Sequence, residues 1–257
     1  MLLATWNVNS LTMRLPRVLE FLAKHRPDVL CLQETKVGEA AFPTEALAEA
    51  GYAAAHLSGG RWAGVAVLSP VERAPYDVTR GLPGEVRAEE ARWVEATVGD
   101  LRVASVYVVN GRALGTPTYD EKLAFLDAMR ERLAALAAAG PVFVAGDFNI
   151  APEDRDVWDP ALFVGATHVS RPERERLDRI LATGLVDAYR TVEPEAVQYT
   201  YWDYRAGMFH KNLGMRIDLA LLSASLAPRI ERCGIDRDFR KGLKPSDHAP
   251  LLVALKD

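Results

Sequence analysis

A chain of 257 residues, 49% of them hydrophobic, is long enough to bury a sizeable core as one large α/β domain or two small ones. Prolines and glycines are scattered as single turn signals, no low-complexity block interrupts the chain, and no apolar run reaches membrane-spanning length, which argues for a single soluble domain over residues 1–257. The formal net charge of −4 weighs against an extended basic nucleic-acid face, although residues 205–244 carry nine basic side chains against four acidic ones.

The N-terminus runs straight into Trp6-Asn7 without a basic start or a cleavage site, so residues 2–8 read as a strand rather than a secretion signal. An amphipathic helix over 14–25 follows, with Leu15, Val18, Leu19 and Leu22 on one face and Pro27 beyond its end. Residues 28–34 form a second, buried strand. It contains Cys31, which shares no metal or redox spacing with Cys233, and this usage suits a reducing cytoplasm. A short helix over 43–50 leads to strands at 52–57, 64–69, 91–98 and 101–109, with a hairpin turn at Gly99-Asp100. The longest helix spans 118–139, where Leu123, Leu126, Met129, Leu133 and Leu136 recur at helical spacing before the stop Gly140-Pro141. After the strand at 142–150, residues 151–167 read as a long loop, 171–183 as a helix, and 198–202, 216–223 and 250–255 as strands. Many strands with few helices, beginning and ending in strands, predict an α/β (α+β) fold: a four-layered sandwich, two mixed β-sheets packed face to face with helices on the outside.

The run from Val142 to Ile150 is the most informative stretch, because an apolar strand breaks at Gly146 and at once presents Asp147 and Asn149. Residues i and i+2 of an extended segment point the same way, so both face one pocket. Other apolar runs end in Asn7, Glu34, Tyr107, Asp218, and the pair Asp247-His248. Carboxylates gathered together repel unless a cation sits among them, and hard oxygen ligands favour Mg²⁺ or Mn²⁺ over Zn²⁺. A carboxylate that accepts from one ring nitrogen of His248 holds the other ready to exchange a proton. Cation, oriented histidine and acid together form a kit for phosphoester hydrolysis.

As a set, Trp6-Asn7-Val8-Asn9, Leu32-Gln33-Glu34-Thr35-Lys36, Tyr107-Val108-Val109-Asn110-Gly111, Gly146-Asp147-Phe148-Asn149-Ile150, Asn212-Leu213-Gly214-Met215-Arg216-Ile217-Asp218 and Ser246-Asp247-His248-Ala249-Pro250 resemble the exonuclease III family of apurinic/apyrimidinic endonucleases, in order from residue 4 to residue 253. The resemblance implies a monomeric, Mg²⁺-dependent DNA-repair phosphodiesterase, with Mn²⁺ able to substitute, acting on double-stranded DNA and not at a membrane. Its expected reactions are incision 5′ to abasic sites and removal of 3′ blocking groups or nucleotides. It further implies that Asn7, Glu34 and Asp247 serve the metal and that Asp218 orients His248 toward the scissile phosphate. Asp147 would activate water or serve the leaving group, Asn149 would steady phosphate and nucleophile, and Tyr107 and Asn212 would contact the phosphate. Chemistry favours Asp147 over His248 as the base, since an imidazolium is the better electrostatic partner of phosphate.

Tyr201, Trp202, Arg205, Met215 and Ile217, with Asn110, fall in segments resembling those that bind substrate around a flipped-out sugar lacking its base. Val109 stands where the family usually has proline, and residues 206–211 lie where family members vary. Related phosphoesterases acting on lipid headgroups, inositol phosphates or RNA share the Glu, Gly-Asp-x-Asn and Ser-Asp-His pieces. The segments around 199–205 and 212–218 are not expected in them.

Overall fold

The computed structural model describes residues 1–256. Strand β1 (Leu2–Asn7) passes through helix α1 (Leu11–His25) to β2 (Val29–Gln33), and β1 and β2 pair in parallel, Asn7 opposite Gln33. Ser10 caps α1 by accepting from the Met13 N–H at 3.4 Å, so the helix starts three residues earlier than its apolar period indicates. Helix α2 (Thr44–Glu49) precedes the antiparallel strands β3 (Tyr52–Leu57) and β4 (Val65–Pro70).

The same plan recurs in the second sheet. Strand β5 (Tyr76–Arg80) pairs with β6 (Trp93–Val98), which turns into β7 (Leu101–Tyr107). Helix α3 (Pro117–Ala139), capped by Thr116, carries the chain to β8 (Val142–Asp147), parallel to β7. Helix α4 (Arg171–Leu181), strand β9 (Leu185–Asp187), helices α5 (Ala188–Val192) and α6 (Met208–Lys211), and strands β10 (Asp218–Ser223), β11 (Ile230–Ile235) and β12 (Leu251–Leu255) complete the set.

The strand orders are β11-β12-β1-β2-β4-β3 and β5-β6-β7-β8-β10-β9, two mixed six-stranded sheets. Alternation along each strand divides its side chains between two cores. Leu3, Cys31, Val67, Val103, Phe143 and Val253 fill the space between the sheets. Ala4, Trp6, Leu30 and Leu32 face Phe21 and Leu22 of α1, while Val106 and Val144 face Phe125, Met129 and Leu177 of the other helical layer. The four-layered sandwich is therefore as expected. Among the described residues, no helix is long and apolar enough to cross a membrane.

Three features differ from the sequence reading. Strands β5, β9 and β11 carry no clear apolar alternation; β5 and β11 are edge strands with largely exposed or half-exposed side chains, and β9 has only three residues. Residues 198–202 do not form a strand, because only Tyr201 pairs, by single bridges to Met215 and His248. The basic excess of residues 205–244 is not one face: Arg216 and Arg240 are buried, and Arg229 binds the Lys256 carbonyl near the chain's end.

Candidate active site

Both parallel pairs deliver polar side chains at the same end of the sandwich. Register places Tyr107, Asp147 and Asp218 side by side on β7, β8 and β10, while Asn7 ends β1 and Glu34 follows β2. Gly146 is required here, since a Cβ would strike the Val106 carbonyl on the neighbouring strand. Glu34 and Asn149 both adopt left-handed backbone, φ 51° in each case, which turns the chain sharply as it leaves the sheet.

Asn7 joins the two sheets by donating to Glu34 Oε1 at 2.8 Å and to Asp147 Oδ2 at 3.0 Å. Ser246 fixes the last segment: its hydroxyl donates to the Asn7 carbonyl and accepts from the His248 N–H, while Trp6 Nε1 donates to the His248 carbonyl. His248 Nδ1 lies 2.7 Å from Asp218 Oδ2, and its Nε2 lies 3.8 Å from Asp147 Oδ2. Asp218 is itself held by its backbone N–H, which donates to Thr200 Oγ1. Burial opposes charge on the ring, but Asp218 outweighs it and pushes His248 up to about 10, so it is an imidazolium at neutral pH.

Burial raises the Asp147 carboxyl to about 7, with Asp218 and Glu34 adding to the effect and His248 opposing it. Asp147 Oδ1 accepts from the Asn149 N–H, and Asn149 is oriented by donating to the Val108 carbonyl and accepting from Asn110 Nδ2 at 3.1 Å. Val109 in place of proline leaves this turn intact. Tyr107 lies on the same floor, its phenol held well above the usual range by burial, with Glu34 and Asp147 adding negative potential. The Arg92 guanidinium lies over its ring at 4.8 Å.

Of the three residues expected to serve a metal, Asn7 and Glu34 meet, but Asp247 stands apart. Lys36 Nζ contacts Glu34 Oε2 and Asn9 Oδ1, each at 2.6 Å, and Asn9 Nδ2 donates to Asp247 Oδ1 at 3.0 Å. A cation fits instead between the carboxylates of Glu34 and Asp147, beside the His248 ring; ligand atoms of the three lie within 4.8 Å of one another. Asp218 and Glu34 bring further negative charge to the buried Asp147 carboxyl that a cation would balance, and a set dominated by carboxylate oxygen suits a hard ion.

Tyr201 packs beside His248, ring centroids 4.9 Å apart, and joins Met215, Ile217 and Val157 in an apolar wall. Trp202, expected to bind substrate, points the other way. It is fully buried against Tyr199 and Phe209, because alternate residues of an extended segment face opposite sides. Arg205 is exposed and paired with Asp203, and Asn212 is exposed on left-handed backbone.

Several supporting residues escaped the sequence reading. Lys122, fully buried on α3, donates to the carbonyls of Asn110 and Asn149, to Thr167 and to Glu173. Arg216 forms buried ion pairs with Asp156 and Asp187 behind the apolar wall. A lysine within the buried stripe of α3, and the helix-start pattern Ser170-x-x-Glu173, were the available signals.

The arrangement defines a metal-assisted phosphoester hydrolase site: acids for a cation, an imidazolium for phosphate, and a carboxylate able to take a proton from water. The chain belongs to the Endonuclease/Exonuclease/phosphatase family, whose description matches residues 4–248. It is 32% identical to an exodeoxyribonuclease of Bacillus subtilis over 254 residues, covering 98% of each chain. The fold is similar to that of NExo, a 3′ phosphatase from Neisseria solved with a product DNA hairpin, at a TM-score of 0.97 and 38% identity with both chains fully covered. It is also similar to an AP endonuclease from Archaeoglobus fulgidus, with a TM-score of 0.96, 33% identity and complete coverage of both chains.

Proposed function

We propose that this chain is a Mg²⁺-dependent DNA-repair phosphodiesterase that incises double-stranded DNA 5′ to abasic sites and removes nucleotides or blocking groups from 3′ ends. It acts as a single-domain monomer of the prokaryotic cytosol, and Mn²⁺ can replace Mg²⁺. The observation that carries this reading is the meeting of Asn7, Glu34, Tyr107, Asp147, Asp218 and His248 beside an apolar wall of Tyr201, Met215 and Ile217. Relatives that are an exodeoxyribonuclease, a 3′ phosphatase and an AP endonuclease support both halves of the activity.

A divalent ion, which Glu34 would hold directly beside Asn7 and Asp147, would supply charge neutralisation at the phosphate. Asp147 accepts the proton of the attacking water, and the Asn149 amide, fixed by Asn110, steadies water and phosphate. His248, kept protonated by Asp218, and the Tyr107 hydroxyl donate to the oxygens that gain charge as the bond breaks. Asp247, linked to Glu34 through Asn9 and Lys36, contributes negative charge to the metal side. The apolar wall accepts a sugar without a base, and Asn212 and Arg205 at the rim contact the DNA backbone.

The test is a duplex carrying one tetrahydrofuran abasic analogue, labelled at its 5′ end, incubated with Mg²⁺ or EDTA. A single Mg²⁺-dependent cut at the analogue, with shortening from the 3′ end, is expected. Shortening without the internal cut would restrict the activity to 3′ ends, and no cleavage of any DNA would overturn the assignment.

A further inference from the structure

Trp62 is 78% exposed, whereas Trp6, Trp93 and Trp202 are completely buried. Leaving an indole in water forgoes one of the largest burial gains any side chain offers. The loop that carries it, residues 58–64 between β3 and β4, is nonetheless tied down. The Ala63 and Gly64 carbonyls accept from the N–H groups of Lys36 and Thr35, and the Gly64 N–H donates to the Ala91 carbonyl. Trp62 is therefore fixed to the turn that presents Glu34, with its ring left free.

The ring forms one wall of an open groove of about 570 Å³ whose floor reaches Tyr107 and Asn110, so the groove is continuous with the candidate active site. Of the three acids that line the groove, Glu90 and Glu121 are paired with Arg87 and Arg92, and Glu89 is exposed. Arg61, next to Trp62 in the chain, and Arg112, which lines the groove, are exposed, and among the described residues neither guanidinium has an ion-pair partner. A bare aromatic face with two unpaired guanidiniums, one its chain neighbour and one lining the same groove, suits a base flanked by phosphates.

An indole can stack only on a base whose own face is open. Inside an intact duplex every base face is covered by its neighbours, so a groove built in this way selects DNA that is locally open. We propose that Trp62 stacks on an unpaired nucleobase next to the scissile phosphate, with Arg61 and Arg112 holding the phosphates on either side of it. This rests on the DNA phosphodiesterase reading above and adds a recognition element to it. An unpaired base has two sources in such substrates: the base opposite an abasic sugar, and the frayed base at a 3′ end.

Intrinsic fluorescence in Ca²⁺ without Mg²⁺ reads this contact, because Trp62 is the one tryptophan that is mostly exposed. Three ligands separate the cases: a duplex with a tetrahydrofuran analogue opposite 2-aminopurine, a duplex ending in a 3′ mismatch, and a fully paired hairpin. Quenching by either of the first two, absent with the third and lost in Trp62→Phe through removal of the reporter, is expected, and the ligand that quenches identifies the source. Trp62→Ala should raise KM on that substrate about tenfold with kcat unchanged, while Trp62→Phe stays within about threefold of the parent. Both variants should keep the parent melting temperature, the ring being in solvent. Equal weakening on the fully paired hairpin, or Trp62→Phe as impaired as Trp62→Ala, would overturn stacking. Binding and fluorescence need no cleavage, so failure of the phosphodiesterase assignment would be seen separately, as loss of all metal-dependent cutting by the parent protein.

Discussion

Lys122→Met removes the cation that supports the turns of Asn110 and Asn149 while keeping most of the side-chain volume. Lys122 and Glu173 are both fully buried and paired. Burial pulls the lysine below its usual range, with Glu173 opposing; burial also works against the glutamate's charge, but Lys122 and the surrounding donors outweigh it and hold the carboxyl low. The variant strands Glu173 with only Thr167, the His168 N–H and Ser170 as donors, and leaves the Asn110 and Asn149 carbonyls without the ammonium. Removing one partner of a buried pair costs roughly 3–5 kcal/mol. For a chain of this size that is a fall in melting temperature of roughly 6–20 °C.

The deficit depends on pH. In the parent, a depressed carboxyl contributes stability above the ordinary glutamate range and loses it as pH falls through its folded value. In the variant the same carboxyl, buried without its cation, is raised and destabilises as pH rises. The gap between the two proteins is therefore widest near about pH 8 and narrows toward about pH 5. Urea unfolding at both pH values measures it, and Lys122→Met/Glu173→Gln should recover a large part of the loss. A single variant within about 1 kcal/mol of the parent at both pH values would refute the reasoning.

Asp147→Asn and His248→Ala should each lower turnover about a hundredfold or more with DNA binding largely kept; equal losses in both would remove them from the chemistry. Asp218→Asn, which leaves Nδ1 of His248 facing an uncharged amide, should cost roughly 10–100-fold in kcat with little change in KM. Glu34→Gln should raise the Mg²⁺ concentration for half-maximal activity, and an unchanged requirement would place the ion elsewhere. Gly146→Ala should fail to accumulate as folded protein, because its Cβ meets the Val106 carbonyl; a normal melting curve would contradict that packing.

The residues of the candidate site were legible because chemistry and strand endings coincide. Asp147 follows an apolar run, and its register with Tyr107 and Asp218 is a property of adjacent strands that no single segment displays. Trp202 was misplaced for a related reason: alternation says that Tyr201 and Trp202 face opposite sides, but not which side holds His248. The edge strands β5 and β11 were invisible because a strand with little buried area has no apolar period to read. Lys122 and Arg216 are tertiary facts, defined by partners distant in the chain such as Glu173 and Asp156.

A net charge of −4 looked unfavourable for a DNA partner, and its location removes the difficulty. Glu95, Asp147, Asp156, Glu173 and Asp218 are buried, against Lys122, Arg216, Arg240 and the His248 imidazolium. These carboxylates meet Arg102, Arg132, Arg190, Lys122 and His248 rather than solvent or a DNA backbone. Exposed Arg112 lines the groove and exposed Arg61 neighbours Trp62 in the chain, while Tyr107, which also lines it, pairs in register with Asp147 beside the His248 imidazolium and the cation site. Association steered by these few surface guanidiniums should weaken with salt along a shallow slope, since each phosphate neutralised contributes about 0.9 to the log–log slope. Arg61→Gln and Arg112→Gln together should lower that slope by about 2 while leaving kcat unchanged. An unaltered slope would mean that the DNA runs past the groove rather than through it.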